Sequence, residues 1–516
     1  MSLLVLPILV PLIAGAILLT VKNSTARVVI GVISGVTTLI TTGLIALRTG
    51  QGEIVVNQMA GWKAPYGIAL VADGLSGPLV FVVAIFSLLT VIFVASTLRV
   101  KPVRATKQEK AQTVLNKARE VLGTQALLQF LFAGVNMSLL TGDLFNLFVA
   151  FEVMLLASYG LMLLGGETPQ LRQGFKYVIV NLVASSLFVA GAGMAYGLFG
   201  TLNLADISQR VAEHGPDLRV TLVAALLALV FATKAAVFPL GFWLPDSYPT
   251  PPVAIGAFFA AVLTKVGVYA LIRLFFLLFP EEGTIQTVLL ALGGITILVG
   301  ALGMLSRRRW RHTMAFANIA SIGYLLAALF SGGGHGLTVG LYYLLTSISV
   351  MYLLFAVAGI AERVSSLRYQ IHGHMHLYPW LAAAYFVAAL TMIGMPPTSG
   401  FLAKFGLLQG LFARGGFVPV LVGALAIIGS FIILYTLMRI WETFFWGETE
   451  QTERVPVPKP VTAVAGVSTV IIIALAVFAG PLFDGAQAVT DQVTNRSVYI
   501  GAVLLDDAPP RLGGDQ

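Results

Sequence analysis

Long apolar runs separated by short polar segments dominate this sequence. Each run is close to the ~20 residues that an α-helix needs to cross ~30 Å of hydrocarbon. Of the 516 residues, 58% are hydrophobic and 10% are charged, whereas a soluble globular domain is about 25% charged. A water-soluble core cannot use this composition, so the sequence predicts an all-α membrane protein.

We predict about fourteen membrane-spanning helices, called spans 1 to 14. They are expected near residues 3–21, 27–47, 76–98, 123–141, 143–164, 175–199, 219–243, 252–279, 285–305, 311–330, 337–361, 379–411, 417–446 and 461–481. Between spans 2 and 3, alternating apolar residues flank Gly61 to Pro65, and this pattern predicts a small β-hairpin. The first run has no basic segment before it and no small-residue cleavage site after it, which indicates a retained helix.

Lysine and arginine residues cluster after the odd-numbered spans. The residues concerned are Lys22, Arg27, Arg99, Lys101, Arg104, Lys107, Lys110, Lys117, Arg119, Arg172, Lys176, Arg307, Arg308, Arg309, Arg311, Arg363 and Arg368. Positive residues close to helix ends stay on the cytoplasmic side of a membrane. We therefore expect these loops on the cytoplasmic side of a bacterial cell membrane and both termini on the outer side. The net charge of +8 therefore reflects topology, and no nucleic-acid partner is predicted.

Spans 7 and 12 carry helix-breaking residues. Pro239 lies inside the apolar run of span 7, which ends in the proline-rich segment 244–252, and span 12 contains residues 394–400 with two prolines. Proline removes a backbone donor and clashes with the preceding turn, so both helices should break. Matching breaks predict two inverted five-helix repeats, spans 4–8 and 9–13.

These repeats divide the chain into four parts. They are an N-terminal three-helix segment with a basic linker (1–122), a first repeat (123–283), a second repeat (284–446), and a last helix with a C-terminal tail (447–516).

Four ionisable residues lie within the apolar spans: Glu152, Lys234, Lys265 and Lys404. A charged side chain at mid-bilayer costs about 2.5–3.5 kcal/mol on insertion scales, so each needs a physical reason. A structural ion pair would account for Glu152 and Lys234 but leaves the other two lysines without acidic partners. A proton relay accounts for all four, because desolvation disfavours the charged amine and a carboxylate nearby favours it.

Several polar residues are weaker candidates. His312 follows the arginine cluster at an entrance to span 10, where an interfacial residue or gate is expected, and His335 lies in a glycine-rich loop at a potential outer proton port. The set His372, His374 and His376 has metal-ligand composition, but a solvated loop is the favoured interpretation. The chain has no cysteine, which excludes disulfides and cysteine-ligated iron–sulfur clusters. We predict no metal site and no cofactor, so any electron transfer would occur in another chain.

Several stretches together resemble the D subunit of Mrp (multiple resistance and pH) cation/proton antiporters. The resemblance is carried by residues 140–153, 171–177, 200–208, 238–245 and 263–269, and it extends over most of the chain. This family is related to the antiporter-like subunits of respiratory complex I, with fourteen helices, inverted repeats and a central axis of charged residues.

The resemblance implies specific roles and partners. Glu152 and Lys234 would form the pair of the first half-channel, Lys265 the connecting residue, and Lys404 the terminal lysine of the second. Family members couple proton entry to sodium exit, and the partners would be the A, B, C, E, F and G type subunits. One departure concerns span 11, where Thr346 and Met351 stand in place of a histidine and a lysine. A proton path between Lys265 and Lys404 through span 11 would then depend on hydroxyl groups such as those of Thr346 and Ser347, and on water.

Three functions remain open. The first is a proton-translocating subunit of a hetero-oligomeric Na+/H+ antiporter, a transporter and not an enzyme, with a role in pH homeostasis. The second is a proton-pumping subunit of a complex I-type NADH dehydrogenase or membrane-bound hydrogenase. The third, which is the least favoured, is an inert scaffold that docks neighbouring subunits. It predicts that neutralising all four charges would stabilise the protein without loss of transport, because apolar residues can often replace buried ion pairs.

Overall fold

The computed structural model describes residues 3–98, 123–166, 168–364, 373–447 and 455–504. Each of the fourteen predicted spans contains helix. In the first half these helices are Leu6–Thr20, Ser24–Thr49, Ser76–Leu98, Thr124–Leu140, Leu144–Leu163, Thr168–Phe199, Leu218–Lys234 with Leu244–Ser247, and Val253–Leu278. The basic linker of residues 99–122 lies outside the described residues.

The second half continues the pattern with six more spans. They are Gly283–Ser306, Trp310–Leu329, Gly333–Val364, Pro379–Ile393 with Ser399–Arg414, Phe417–Phe445, and Lys459–Val477. Within the described residues, 11 helices are long and apolar enough to cross a membrane. Thr124–Leu140 and Pro379–Ile393 are shorter apolar helices. The helical membrane fold is thus confirmed, and the number of crossings stays a prediction.

Both predicted helix breaks are present. Span 7 stops at Lys234, Ala236 adopts a positive φ of 62°, and helix resumes at Leu244. Span 12 stops at Ile393, Gly394 follows with φ 88°, and helix resumes at Ser399. Each break lies in the fourth helix of its predicted five-helix unit. The domain boundaries and the inverted relation of the two units stay predictions that this placement supports.

Span 1 is tied to span 4 at the point where proline interrupts its backbone. Pro11 has no N–H, so the carbonyl of Pro7, four residues earlier, lacks its helical donor. Asn136 of span 4 supplies the donor through its Nδ2 atom at 2.7 Å. The side-chain amide of the neighbouring span thus replaces the backbone hydrogen bond that the proline removes.

The predicted hairpin is also confirmed. Strand β1 (Val55–Gln58) pairs antiparallel with β2 (Ala69–Ala72), with Val55 opposite Ala72. Isolated bridges then connect Leu70 with Thr141 and Asp143 with Asn203. The hairpin therefore joins the loops that follow spans 4 and 6 on one face of the bundle, here called the hairpin face. The opposite face, at the loops after odd-numbered spans, is called the basic face.

The described part of the segment predicted as a C-terminal tail is largely helical. Helices Ala479–Thr494 and Arg496–Leu504 follow span 14 and lie on the hairpin face. Gln492 accepts from the backbone N–H of Gly74 at 2.7 Å, and Gln58 donates to the carbonyl of Val503 at 3.1 Å. No long apolar run marks this segment in the sequence, because its helices lie across the ends of the spans and are amphipathic.

A buried ion pair fixes this layer to the bundle. Arg273, near the end of span 8, donates from its two terminal nitrogens to the carboxylate of Asp73, at 2.6 and 2.7 Å. The two side chains are 5% and 2% exposed. Burial raises the pKa of Asp73, but Arg273 and the hydrogen bonds from Ser76 outweigh it and hold this pKa below its usual range. Tyr499 of the last helix packs against the same guanidinium, 5.4 Å from its ring centre.

We expect Asp73→Asn to destabilise the chain. The substitution leaves Arg273 buried without a counter-charge, which costs about 3–5 kcal/mol in comparable buried pairs. The measurement is the thermal unfolding temperature of the purified protein. Glu281→Gln is the matched control, because Glu281 pairs with Arg496 on the same face but is 59% exposed, and exposed pairs contribute little. Equal unfolding temperatures for the two variants would contradict the assignment of Asp73 and Arg273 as an anchor.

Candidate functional site

The three lysines predicted within the apolar spans are buried in the bundle. Lys234, Lys265 and Lys404 are 5%, 1% and 7% exposed. A long lysine side chain near a membrane surface normally extends its ammonium group to water. These side chains do not, so each ammonium group needs acceptors from the protein.

Lys404 finds its acceptors at the break of span 12. Its Nζ donates to the carbonyls of Met392 and Ile393 at 2.9 and 3.1 Å. These carbonyls end the first half of the span, where the last turn has no intrahelical donors and carries the negative end of the helix dipole. The Nζ atom also donates to Ser430 Oγ at 3.1 Å and lies 3.8 Å from the centre of the Tyr324 ring. These contacts stabilise the ammonium group of Lys404 without a carboxylate partner.

Lys265 is held by a carbonyl and an amide. Its Nζ donates to the carbonyl of Ala260 at 2.8 Å and to Asn318 Oδ1 at 2.6 Å. Ala260 belongs to the π-helical segment Phe259–Leu263, a type of turn that is frequent at functional sites. Thr264 Oγ1 and Asn318 Nδ2 are buried beside this lysine with no hydrogen-bond partner. Both atoms can bind water.

Lys234 is the last residue of the first helix of span 7. Its Nζ donates to Ser185 Oγ of span 6 at 3.2 Å and lies 5.0 Å from the centre of the Phe151 ring. Glu152 follows Phe151, yet no ion pair joins it to Lys234, and its Oε1 atom is buried without a hydrogen-bond partner. The simple structural pair considered from the sequence is therefore not formed in this conformation.

A glycine brings span 8 close to the end of the first helix of span 7. A side chain at Gly267 would lie 2.7 Å from the backbone nitrogen of Ala235 and 3.0 Å from the carbonyl carbon of Lys234. Only glycine permits this approach of span 8 to the break of span 7. Lys265, two residues before Gly267, lies on a different side of span 8, where its Nζ donates to Asn318 of span 10.

Polar side chains of span 10 lead from Lys265 toward Lys404. Asn318, Ser321 and Tyr324 recur every three residues and lie along one side of the helix. Ser321 Oγ is 2.7 Å from Ser347 Oγ, and Tyr324 OH is 2.7 Å from Ser430 Oγ, which binds Lys404. A hydroxyl both donates and accepts, so it can pass a proton along such a series.

The weaker candidates take different positions. Ser347 joins the polar series, whereas Thr346 Oγ1 donates to the carbonyl of Tyr342 in its own helix at 3.2 Å. His335 lies in the first turn of span 11, with Nε2 3.1 Å from the carbonyl of Gly406. His312 lies in the first turn of span 10, with a buried Nδ1 that has no partner. Neither histidine contacts one of the buried lysines.

Span 6 carries a stripe of polar residues that the sequence analysis did not identify. Its members, spaced so that they share one side of the helix, are Gln170, Gln173, Tyr177, Asn181 and Ser185. Tyr177 OH is 2.9 Å from Ser158 Oγ. The Oε1 atoms of both glutamines and the hydroxyl of nearby Tyr159 are buried without partners. The stripe provides a polar approach to Lys234 from the basic face, and its three- and four-residue spacing is visible in the sequence.

The histidine loop differs from the sequence interpretation. His372 lies outside the described residues, and His376 is exposed. His374 is fully buried and stacks on Phe444, with ring centres 4.2 Å apart, so the favoured interpretation as a solvated loop is wrong for this residue. In the part of the chain that the structure describes, no group of three His, Cys, Asp or Glu residues could hold a metal ion.

Comparisons with known proteins identify relatives over nearly the whole chain. Residues 141–432 match the family described as NADH:quinone oxidoreductase/Mrp antiporter, TM. The D subunit of the Na+/H+ antiporter of Alkalihalophilus pseudofirmus is 35% identical over 98% of this chain and 100% of its own length. The protein of the same name from Bacillus subtilis is 37% identical over 88% of each chain. A chain in the structure of the Mrp complex from a Dietzia species matches with a TM-score of 0.86 and 27% identity, covering 97% of this chain and 99% of that chain.

We expect Ser347→Ala to slow proton movement. The substitution removes a hydroxyl from the polar series, a loss of about 1 kcal/mol per hydrogen bond, or about fivefold in rate. Ser349→Ala is the matched control, because Ser349 is equally buried in the same helix but donates to its own helical backbone at 2.9 Å. The measurement is proton movement across everted vesicle membranes after cation addition. Equal rates for the two variants would exclude Ser347 from the pathway.

Proposed function

The chain belongs to the NADH:quinone oxidoreductase/Mrp antiporter family, with antiporter D subunits as its full-length relatives, and on that premise we propose its function. It is the proton-translocating subunit of a hetero-oligomeric Na+/H+ antiporter. It exchanges external protons for internal cations and is a transporter, not an enzyme.

The observation that carries this proposal is the mode of burial of the lysines. Lys265 and Lys404 contact carbonyl, amide and hydroxyl oxygens, which bind an ammonium group without fixing its charge. A carboxylate partner would keep each amine protonated, whereas neutral acceptors allow both protonation states. Such amines suit a relay better than a structural ion pair.

Glu152 provides the variable charge at the start of this relay. It follows Phe151, whose ring centre lies 5.0 Å from Lys234 Nζ, and its buried Oε1 atom has no hydrogen-bond partner. When Glu152 is ionised, Lys234 retains its proton, and protonation of Glu152 removes this stabilisation. The proton can then pass to Lys265 at the adjacent approach of spans 7 and 8, and through the polar series to Lys404.

The proposed assembly places this chain among the other subunits of the antiporter in a bacterial cell membrane. The A, B, C, E, F and G type subunits are its partners, H+ and Na+ are its transported ions, and it has no redox chemistry of its own. The 27% identical chain in the Dietzia Mrp complex supports this assembly.

The positive residues of the basic face support its placement in the cytoplasm. The hairpin face, with both the Leu3–Val5 turn and helix Arg496–Leu504 nearby, then lies outside. Because the native chain has no cysteine, Tyr66→Cys at the exposed hairpin tip tests this orientation. A membrane-impermeant thiol reagent should label intact cells at this position, and labelling only after the membrane is opened would contradict it.

We expect Glu152→Gln and Lys234→Ala each to reduce Na+-driven proton movement at least about a hundredfold, the scale of a lost acid–base group. The assay uses everted vesicles from antiporter-deficient cells that express the whole complex. Glu281→Gln, on the hairpin face and far from the lysines, should retain activity. Unchanged transport in both relay variants would refute the proposal.

The redox alternative predicts a different composition for the native complex. A dehydrogenase or hydrogenase requires flavin or iron in partner chains, whereas an antiporter requires neither. Metal analysis and the flavin spectrum of the complex purified from its native membrane distinguish the two, and stoichiometric flavin or iron would favour the redox alternative.

A further inference from the structure

A cavity of about 520 Å³ opens on the surface of the bundle where span 5 ends and span 6 begins. We call it the span 5/6 cavity. It is lined by Leu163 of span 5 and by Leu171, Arg172, Phe175 and Val178 of span 6. These residues lie on a different side of span 6 from its polar stripe, so the proton relay described above does not use the cavity.

The walls of the cavity are apolar except for one arginine. Leu171 and Phe175 are 49% and 66% exposed, so the cavity opens to the outside of the bundle. Span 5 closes its other side, because Gly174 lets Leu163 pack against span 6: a side-chain carbon at Gly174 would lie 2.5 Å from Leu163 Cδ2. A concave apolar surface of this kind holds a chain-like apolar ligand by many contacts.

The cavity extends from the basic face into the hydrocarbon region. The helix of span 5 ends at Leu163 and that of span 6 begins at Thr168, both on the basic face. Given a rise of 1.5 Å per residue, Arg172 lies ~6 Å and Val178 ~15 Å along span 6 from Thr168. This range covers the headgroup layer of a leaflet and the first part of its acyl chains.

Two positive side chains lie at the polar end of the cavity. Arg172 and Lys176 are exposed and are one helical turn apart on span 6. Among the described residues, the ion pairs are formed by other side chains, so neither cation has a carboxylate partner. Helical side chains lean toward the N-terminus, which for span 6 is the basic face, so both cationic groups can reach the headgroup layer.

Charge complementarity identifies the class of ligand. A phosphate group at Arg172 and Lys176 would neutralise both side chains, and the guanidinium fork of arginine matches phosphate oxygens. An acyl chain of the same molecule would then lie against Phe175 and Val178. A lipid with a cationic headgroup would bring a third positive charge to this point, and an apolar helix of another subunit would leave both cations without a counter-charge. An anionic lipid satisfies both ends of the cavity.

We propose that the span 5/6 cavity is a binding site for an anionic phospholipid of the leaflet at the basic face. Arg172 and Lys176 bind its phosphate, and the apolar walls bind one acyl chain. This inference goes beyond the proposed transport function and does not depend on it, because it uses none of the relay residues.

The test titrates phosphatidylglycerol into detergent micelles that hold the purified chain and otherwise contain phosphatidylcholine. A ligand that binds the folded state raises the unfolding temperature. The measured quantity is the mole fraction of phosphatidylglycerol that gives half of the maximal rise. The double variant Arg172→Gln/Lys176→Gln should increase this fraction about thirtyfold, the loss expected for two basic residues near an anionic lipid. An unchanged fraction would overturn the proposal.

The matched control is the double variant Arg308→Gln/Lys459→Gln. It also removes two exposed positive charges from the basic face, but neither residue lines the cavity. It should keep the half-saturating fraction of the native chain. Equal losses in the two double variants would indicate a general attraction of the basic face for anionic lipid, and the proposed site would then be wrong.

Two further variants test the apolar walls while both charges remain. Val178→Trp fills the cavity, and Phe175→Ala removes an exposed wall residue whose loss leaves the helix packing intact. Each should increase the half-saturating fraction about tenfold, because the acyl chain loses apolar contact area. Native values in both variants would contradict the proposal. A cavity that receives a helix of another subunit predicts equal stabilisation by phosphatidylglycerol and phosphatidylcholine, and that result would also overturn it.

Discussion

An ammonium group buried among apolar helices needs acceptors for its three N–H bonds, and this requirement organises the centre of the chain. The acceptors come from places where regular helix is interrupted. Lys404 binds the carbonyls of Met392 and Ile393 at the break of span 12, and Lys265 binds a carbonyl of the π-helical segment in span 8. The prolines and the π turn thus provide polar backbone at a depth where lipid would allow none.

Because the acceptors of these lysines are uncharged, a lysine can gain or lose a proton without breaking an ion pair. In the proposed relay Glu152 acts on Lys234 as a neighbouring carboxylate, and no ion pair joins the two side chains. Protonation can therefore change at one end of the series without breaking an ion pair that holds the fold. The ion pair that does hold the fold, between Asp73 and Arg273, lies on the hairpin face, away from the relay. Stability and the proposed proton relay thus rest on different charged groups.

The sequence predicted the helical membrane fold, the hairpin and both breaks because apolar length, alternation and proline act locally. It also identified the buried lysines, since a charge in an apolar run stands out. It did not identify Asn318, Ser321, Tyr324 and Ser430, because uncharged polar residues are common in spans and their pairing depends on how spans 10 and 13 pack. The partnership of Asp73 with Arg273 was equally invisible, since 200 residues separate them. The resemblance implied a histidine and a lysine in span 11, where Thr346 and Met351 stand, and the polar series that the structure describes runs mainly along span 10.

The central claim is that a buried lysine changes its protonation state during transport, and Lys404→Arg tests it most directly. Arginine keeps the positive charge and can donate to the same carbonyls, but it does not release its proton under physiological conditions. The measurement is Na+-driven proton movement by the assembled complex in everted vesicles, with Lys459→Arg at the start of span 14 as the control. The account predicts that Lys404→Arg assembles normally and loses transport while the control retains it. Native rates in Lys404→Arg would contradict the account, because a fixed charge would then be sufficient.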